Sequence, residues 1–324
     1  MAAAHAVPKT LQQAILFFSV YENCRKAVEA IRWPDGTVVC PNCGSERVTY
    51  LEKQRRYKCY EKHARAQFSL KVGTIFEDSA IGLEKWLPAL WLLTNCKNGI
   101  SSYELARALG VTQKTAWFML SRLRLALQSE DGGKLGGTVE VDETFIGGKA
   151  RNMHVAKKRR MGITQGTSMA GKIAVMGLLE RHPEKGQSRV RLRGLDTRKK
   201  RDLQMRVRQH VEAGATVNTD ALFSYQGLNE SYVHNVIDHA EKYVDGTVHT
   251  NGMENFWSLL KRSLKGTYVS VEPFHLFRYL DEQAFRFNQR AGTDASRFAA
   301  ALKGILNKRL TYVALTGSEL PQTC

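Results

Sequence analysis

Cysteines, acidic residues and long apolar runs are all scarce in this sequence, and each shortage excludes a class of protein. Six cysteines among 324 residues are too few for a disulfide-stabilised scaffold. Nowhere do about 18 uncharged apolar residues follow one another, so no membrane-spanning helix is predicted. The first residues contain a short apolar run without a basic start, so no signal peptide is predicted either. The sequence therefore predicts an intracellular, soluble protein.

The shortage of acidic residues leaves a strong positive charge. Lysine and arginine number 48 against 31 aspartates and glutamates, which gives a formal net charge of +17. Such an excess favours a polyanionic partner, most simply a nucleic acid, although a generally basic soluble protein is the alternative. Hydrophobic residues make up 43% of the chain, enough for a sizeable core. The length predicts two or three domains.

Residues 1–35 are predicted to form a helical lead-in. A helical region is expected over residues 10–32, where apolar side chains recur at helical spacing. This apolar stripe consists of Ala14, Phe17, Phe18, Tyr21 and Cys24. Because Cys24 belongs to the stripe, we expect a buried thiol there rather than a metal ligand.

Residues 36–79 carry the ligand spacing of a small zinc ribbon. Cys40 and Cys43 form a C-P-x-C-G turn, and with Cys59 and His63 the pattern is C-x2-C-x15-C-x3-H. Three thiolates and an imidazole suit a tetrahedral Zn²⁺ ion, and so small a module has few apolar residues to stabilise it otherwise. Between the ligands, "RVTYLE" and "RRYKC" alternate like the strands of a hairpin. The alternative is a set of unrelated thiols and a surface histidine.

Residues 80–128 predict three helices, of which the last two form a helix-turn-helix. The first helix runs through Leu93, the second begins at Ser101, and the third begins at Gln113 after the break "LGVT". Ser101 and Thr112 are suited to cap the helices that follow them. An ordinary helical subdomain without a role in DNA binding is the alternative.

The third of these helices has an apolar and a polar side. Its predicted buried stripe is Ala116, Met119, Leu120, Leu123 and Leu127. Its predicted outward side is Gln113, Lys114, Ser121, Arg122 and Arg124. Major-groove and phosphate contacts need such polar and basic groups, so we expect this side to bind DNA.

A glycine-rich linker is predicted at residues 129–137, and strands and helices alternate beyond it. Their predicted order, β-β-β-α-β-α-β-α, favours a mixed α/β fold. Between the first two strands, residues 149–160 contain six lysines or arginines and no acid. We expect this loop to be solvated and to contact a nucleic-acid backbone.

Two aspartates lie inside or at the ends of predicted core strands. Asp142 follows the alternation "TVEV", and Asp220 follows "ATVNT". A carboxylate in such a position is costly unless its charge is compensated. Two Mg²⁺ ions about 3.5–4 Å apart would compensate it, and would also activate an attacking oxygen and stabilise a leaving one in phosphoryl transfer. Composition alone does not select these residues, because other acids surround them: Glu140, Glu143, Asp238 and Glu241.

A third carboxylate, Glu254, lies on an amphipathic helix. The side of this helix predicted to face a core consists of Met253, Phe256, Trp257, Leu260 and Leu264. Glu254 and Lys261, seven residues apart, share a different side. Because salt bridges on a helix favour a spacing of three or four, we expect Glu254 to find its partners elsewhere in the chain.

Several segments resemble those of DDE insertion-sequence transposases with a ribonuclease-H-like fold. "VDETFIGGK", "VNTDALFSY" and "HTNGMENFWSLLKR" are similar to the catalytic blocks of that family. "QFSLKVGTIFEDS", "WLLTNCKNGISSYELARALGVTQKTAWFML" and "RYLDEQAFRFNQR" are similar to its zinc-ribbon-bearing subgroup. The resemblance extends from about Cys40 to Arg290.

The resemblance implies a metal-binding triad of Asp142, Asp220 and Glu254, with 33 residues between the last two. It implies that Asp142 ligates both ions and the other two carboxylates one each, and that Lys261 holds DNA. Asn251, one turn before Glu254, is the alternative third ligand. We expect His249, Asn251 and Trp257 to shape the site or contact DNA rather than to act as acid or base.

The zinc ribbon departs from the family pattern at one ligand. Many relatives complete the ribbon with a second C-x2-C pair, whereas Lys62 occupies the place of the last cysteine here. His63, the next residue, would substitute for that ligand.

The resemblance predicts a multidomain α/β protein: a zinc ribbon, a helix-turn-helix and, over residues 138–324, a ribonuclease-H-like domain with C-terminal helices. It implies a transposase that binds insertion-sequence ends and uses Mg²⁺ or Mn²⁺ to cleave and join double-stranded DNA, with structural Zn²⁺. It also implies at least a dimer on DNA, in the bacterial cytoplasm with the nucleoid. A catalytically inactive DNA-binding regulator and a structure-selective nuclease of the same fold are the alternatives.

Overall fold

The computed structural model describes residues 8–128, 133–147, 153–160, 172–184, 186–195, 197, 199–220, 223–237, 248–269 and 271–317. The chain divides into two compact units. The first contains residues 1–128 together with 292–324, and the second contains residues 129–291. The last helices, which the sequence placed with the second domain, therefore pack in the first unit.

The first unit begins with two helices where the sequence predicted one helical region. Helix α1 spans Leu11–Phe18 and α2 spans Tyr21–Arg32. The break falls at Val20, whose backbone is extended at φ −97° and ψ 115°. Cys24 is fully buried, as predicted.

A three-stranded antiparallel sheet follows. Strands β1 (Val48–Leu51) and β2 (Arg56–Cys59) form the predicted hairpin, and β3 (Gln67–Phe68) pairs with β2. The rings of Tyr57 and Phe68 stack with centroids 5.3 Å apart, which gives this small sheet an aromatic core.

Three helices occupy the positions that the sequence predicted. They are α3 (Leu83–Asn95), α4 (Ser102–Leu109) and α5 (Gln113–Ala126). Ser101 caps α4 in a capping box with Glu104, and the Thr112 hydroxyl accepts a hydrogen bond from Thr115 N–H at the start of α5. Gly110 ends α4 in the left-handed conformation at φ 59° and allows the sharp turn into α5.

The C-terminal segment completes the core of the first unit. Helix α10 spans Asp294–Lys303 and α11 spans Tyr312–Thr316. The Phe298 ring lies 5.2 Å from that of Phe18 and 5.4 Å from that of Trp91. A Cβ at Gly304 would lie 2.0 Å from the Ala126 carbonyl oxygen, so only glycine fits this contact.

The prediction that Ser121, Arg122 and Arg124 face outward is wrong. All three are buried, whereas the predicted apolar stripe of α5 is buried as expected. The Arg122 guanidinium donates to the carbonyl oxygens of Ile75, Glu77 and Leu310 at 2.6–3.1 Å. The apolar periodicity of α5 does not predict that this second side is buried. Part of what covers it is the C-terminal segment, which is distant in the sequence.

The second unit is built on a five-stranded mixed sheet in the order β6-β5-β4-β7-β8. Strands β4, β5 and β6 are antiparallel neighbours, whereas β4, β7 and β8 run parallel. The strands are β4 (Thr138–Ile146), β5 (Ile173–Glu180), β6 (Arg189–Leu195), β7 (Thr216–Asp220) and β8 (Val233–Ile237). The helices are α6 (Val155–Arg160), α7 (Lys200–His210), α8 (Asn251–Gly266) and α9 (Leu276–Asn288).

The predicted α/β class is confirmed, with two changes in the order of elements. Helix α6 lies between β4 and β5, where the sequence predicted a loop. Only two short 3-10 turns, at Phe223–Tyr225 and Leu228–Glu230, are described between β7 and β8, where the sequence order required an α-helix. In the part of the chain that the structure describes, no helix is both long and apolar enough to cross a bilayer.

The two faces of the large sheet bury different helices. On one face, Val139, Val141, Met176 and Leu178 pack with Leu203 and Val207 of α7. On the other face, strand residues pack with α8 and α9: Val175, Leu179, Val190 and Leu192. Alternation along each strand produces this division, and it places Asp142 on the side of α8.

Arg122→Ala tests the structural role of this arginine. We expect it to lower the free energy of unfolding by about 2–4 kcal/mol, because three buried carbonyl groups lose their donor. Urea unfolding of the full-length protein measures the change. Lys114→Ala is the matched control, since Lys114 is exposed and should unfold like the wild type. Unchanged stability of Arg122→Ala would show that its contacts are dispensable.

Candidate active site and zinc ribbon

Two of the predicted carboxylates lie on adjacent parallel strands. In the register of β4 and β7, Glu140 pairs with Asn218. Asp142 and Asp220 each lie two residues further along their strands, so their side chains leave the sheet on the same face. Both are half-buried, Asp142 in the middle of β4 and Asp220 at the end of β7.

The third carboxylate, Glu254, lies in the first turn of α8 and is exposed. One turn later, Trp257 Nε1 donates to Asp142 Oδ2 at 2.9 Å. The five predicted core residues of α8 are all buried, and Lys261 is exposed. The helix thus brings Glu254 toward the strand aspartates while its apolar side packs on the sheet.

Gly177 on β5 permits this close approach of α8. Gly177 is the cross-strand neighbour of Asp142. A Cβ at this position would lie 2.1 Å from Met253 Cε and 2.7 Å from Trp257 Cζ2. A larger residue would therefore push α8 away from Asp142.

The surroundings of Asp142 disfavour its charged form. Burial raises the pKa of Asp142, and the negative charges of Asp220 and Glu254 raise it further. Hydrogen bonds from Trp257 Nε1 and from the Glu143 N–H, at 2.8 Å, act in the opposite direction. A bound cation would offset this repulsion, and carboxylate oxygens are the ligands that Mg²⁺ prefers.

Glu140 is a residue of this region that the sequence reasoning did not select. It is only 1% exposed, although it carries a carboxylate. One oxygen accepts from Arg181 Nε at 2.6 Å and the other accepts from Met253 N–H at 2.8 Å. Because Met253 precedes Glu254, this contact ties the first turn of α8 to the strand that carries Asp142. The only sequence signal for the burial of Glu140 was its position in the alternating strand pattern "TVEVD".

The same contacts explain the position of His249. Arg181 Nη2 lies 2.7 Å from His249 Nδ1 and 2.5 Å from its carbonyl oxygen. His249 therefore forms part of the support for α8, in line with the expectation that it shapes the site. Asn251, the alternative third ligand, is the first residue of α8 and is exposed.

The second candidate metal site is in the first unit. The ligand atoms of Cys40, Cys43, Cys59 and His63 all lie within 4.8 Å of one another. Cys40 Sγ lies 3.5 Å from His63 Nε2, and Cys43 Sγ lies 3.6 Å from Cys59 Sγ. No other such group was found among the described residues. This donor set suits tetrahedral Zn²⁺.

Two other predicted DNA contacts have different surroundings. Lys114 is exposed on α5, whereas Gln113 is half-buried and donates to the Ser102 hydroxyl at 2.9 Å. Of the basic loop 149–160, the structure describes residues 153–160, which include α6. Residues 149–152 of that loop, residues 129–132 of the linker, Asp238 and Glu241 lie outside the described residues.

Comparison with known proteins finds a family match in each unit. Residues 134–288 match the model of the ISXO2-like transposase domain, and residues 22–63 match the model of a transposase zinc-ribbon domain. An uncharacterized protein in transposable element ISH50 of Halobacterium salinarum is 32% identical over 297 residues, covering 86% of this chain and 94% of that protein. This chain belongs to the ISXO2-like transposase family. The transposase's zinc-ribbon match contains all four candidate ligands.

Zinc content tests the assignment of the ribbon ligands. We expect about one Zn²⁺ per chain, and Cys43→Ser should lose it together with part of the thermal stability, because metal binding contributes to the folding of so small a module. Elemental analysis and thermal unfolding measure the two effects. Cys96→Ala removes a thiol outside the cluster and should retain the metal. The assignment would be contradicted if the wild-type protein contained no metal and its unfolding temperature did not change when a chelator was added.

A double-mutant cycle tests the support of α8. Glu140→Gln should lower the free energy of unfolding by about 2–4 kcal/mol, since it leaves the Arg181 guanidinium without its charged partner. Combining it with Arg181→Gln should cost less than the sum of the single changes. Glu230→Gln, at an exposed carboxylate, is the control. Additive effects would mean that the two side chains are not coupled.

Proposed function

We propose that this transposase cleaves insertion-sequence ends and joins them to target DNA at Asp142, Asp220 and Glu254. One observation carries the proposal: adjacent parallel strands present Asp142 and Asp220 on one face of the sheet, and Trp257 of the helix that carries Glu254 donates to Asp142. We infer that carboxylates far apart in the sequence form one acidic group in the second unit. Such a group is costly without a cation, so a divalent-metal site is its best explanation.

Asp142, Asp220 and Glu254 would hold two Mg²⁺ or Mn²⁺ ions, because carboxylate oxygens are the ligands that these ions prefer. When bound, the ions would supply Lewis-acid stabilisation of the charge that develops around the reacting phosphate. Trp257 orients Asp142 through its hydrogen bond. Lys261, exposed on the helix that carries Glu254, would contact a DNA phosphate.

The reaction needs no covalent enzyme intermediate. A water oxygen attacks the phosphodiester phosphorus at the element end, and the bond to the 3′ oxygen breaks, which frees a 3′-hydroxyl. That hydroxyl then attacks a phosphodiester of the target, and a new DNA bond forms as a target 3′ oxygen leaves. The protein's contribution is to hold the reacting groups in line and to stabilise charge.

Recognition of the element ends is proposed for the first unit. Lys114 is exposed at the start of α5, where a recognition helix presents its contacts, and Gln113 lies beside it. Arg122 and Arg124 are buried and are removed from the proposed DNA surface. We place the protein with DNA in the cytoplasm, acting as at least a dimer on two element ends.

A DNA-binding regulator without catalysis and a nuclease that never joins DNA are the competing functions. The presence of all three carboxylates, on two adjacent strands and a helix that contacts Asp142, favours an enzyme over the regulator. A zinc ribbon and a candidate recognition helix in the same chain favour binding to defined ends, and therefore transposition over structure-selective cleavage.

Replacing each triad carboxylate by its amide tests the catalytic proposal. In Asp142→Asn, Asp220→Asn and Glu254→Gln, cleavage and joining should fall by at least about a hundredfold, because the metal site loses a charge. Gel assays with DNA carrying the element's own ends and added Mg²⁺ measure both reactions. Binding to the ends should persist in all three variants, since another unit provides it. Glu272→Gln, an exposed carboxylate, should keep full activity.

The same series tests the competing assignments. If Asn251→Ala abolished joining while Glu254→Gln joined ends at the wild-type rate, Asn251 would be the third ligand. Cleavage without joining by the wild type would favour the nuclease. Full activity in all three amide variants would overturn the proposed site.

A further inference from the structure

The outward side of α7 is strongly basic. The buried side of this helix consists of Leu203, Gln204 and Val207. Its exposed side consists of Lys200, Arg201, Met205, Arg208 and Gln209. Asp202 is the single acid in the helix, and it is half-buried and accepts a hydrogen bond from the Thr197 hydroxyl. The exposed side of α7 therefore presents cations without acids among them.

Neighbouring elements extend this positive surface. Lys134 Nζ donates to the Arg208 carbonyl oxygen at 2.8 Å, which fixes Lys134 beside the C-terminal end of α7. Arg191 of the edge strand β6 donates to the Gly133 carbonyl oxygen at 2.6 Å. Arg193, on the same side of β6, donates to His210 at 3.1 Å. These contacts place cations of the segment before β4 and of the edge strand beside α7.

The surface is concave along the helix. An open groove of about 860 Å³ is lined by Lys134, Lys200, Arg201, Gln204, Met205, Arg208 and Gln209. Four of these residues are cations and two are amides, whereas none is acidic or aromatic. We refer to this feature as the α7 groove.

The α7 groove lies on the opposite face of the sheet from the candidate active site. Helix α7 packs against Val139 and Val141, whereas Asp142 contacts Trp257 of α8 on the other face. A DNA phosphate held by the carboxylates therefore cannot lie in the α7 groove. Any DNA in the groove belongs to a different segment from the one being cleaved.

We propose that the α7 groove binds the phosphate backbone of a second segment of double-stranded DNA. Helix α7 is about 16 Å long, a length over which a duplex carries about ten phosphates. Four cations and the exposed amide of Gln209 match such a backbone in charge and in hydrogen bonding. The absence of aromatic side chains from the lining argues against single-stranded DNA, which binds by base stacking. Contacts of this kind are independent of sequence, as a target or flanking segment requires.

The test removes charge from the groove while the protein stays full-length. The groove variant carries three substitutions, Lys200→Gln, Arg201→Gln and Arg208→Gln. Its affinity for a random-sequence duplex should fall roughly a hundredfold near 0.1 M salt. The slope of log affinity against log salt should become less steep by about 2–3, because three phosphate contacts are lost. Fluorescence anisotropy over a range of salt concentrations measures both quantities.

Two control variants separate phosphate binding from other effects. Lys200→Arg/Arg201→Lys/Arg208→Lys keeps the charge at the same positions and should bind random DNA like the wild type. Lys53→Gln/Lys97→Gln/Lys303→Gln removes the same total charge from exposed positions of the first unit, and should change the salt slope less. The proposal would be overturned if either control lost as much affinity for random DNA as the groove variant. It would also be overturned if the salt slope of the groove variant were unchanged. An acidic protein partner would then be the better occupant of the groove.

An activity assay separates this inference from the proposed function. The groove variant should still cleave element ends, whereas joining to a separate target duplex should fall in proportion to the lost affinity. Loss of cleavage and joining alike would contradict a separate role for the groove. If the wild type neither cleaves nor joins, the proposed function fails, but the binding measurements still decide whether the groove holds DNA.

Discussion

The geometry of the candidate active site depends on one buried carboxylate, that of Glu140. It accepts hydrogen bonds from the Met253 N–H of α8 and from Arg181, which also reaches His249. Asp142 lies two residues after Glu140 on the same strand, and Glu254 follows Met253 directly. A single buried charge therefore sets the distance between two of the three proposed metal ligands. Its burial is tolerable because a cation and a helix N-terminus share it.

A second contact fixes the rotation of the same helix. Trp257 packs over Gly177 and donates to Asp142, so the indole cannot turn without losing either an apolar or a polar contact. Glu140 holds the start of α8, and Trp257 holds it one turn further along. Two fixed points on one helix define both its position and the direction in which Glu254 projects. The site is thus preorganised by packing and hydrogen bonds rather than by the carboxylates themselves, which repel one another.

The sequence predicted the parts of this molecule that short segments determine. The ribbon spacing, the hairpin, the caps of α4 and α5 and the strand positions of Asp142 and Asp220 each follow from fewer than about 25 neighbouring residues, and all are present. The roles of Glu140 and Arg122 were not predicted. Glu140 depends on Arg181 and α8, whose residues are distant in the chain, and Arg122 depends on a carbonyl 188 residues away. Burial of a charged residue cannot be read from periodicity when its partners are so distant.

The return of the C-terminal segment to the first unit has a consequence for biosynthesis. Phe298 fills a gap between Phe18 and Trp91, and the Leu310 carbonyl oxygen binds Arg122. These contacts cannot form on the ribosome until the whole second unit has been translated and its last residues have emerged. The unit proposed to recognise DNA ends is therefore the first to be started and the last to be finished. A shortened translation product that stops after α9 would carry the carboxylates of the second unit but an incomplete first unit. The fold in this way makes the proposed recognition of DNA ends depend on full-length synthesis.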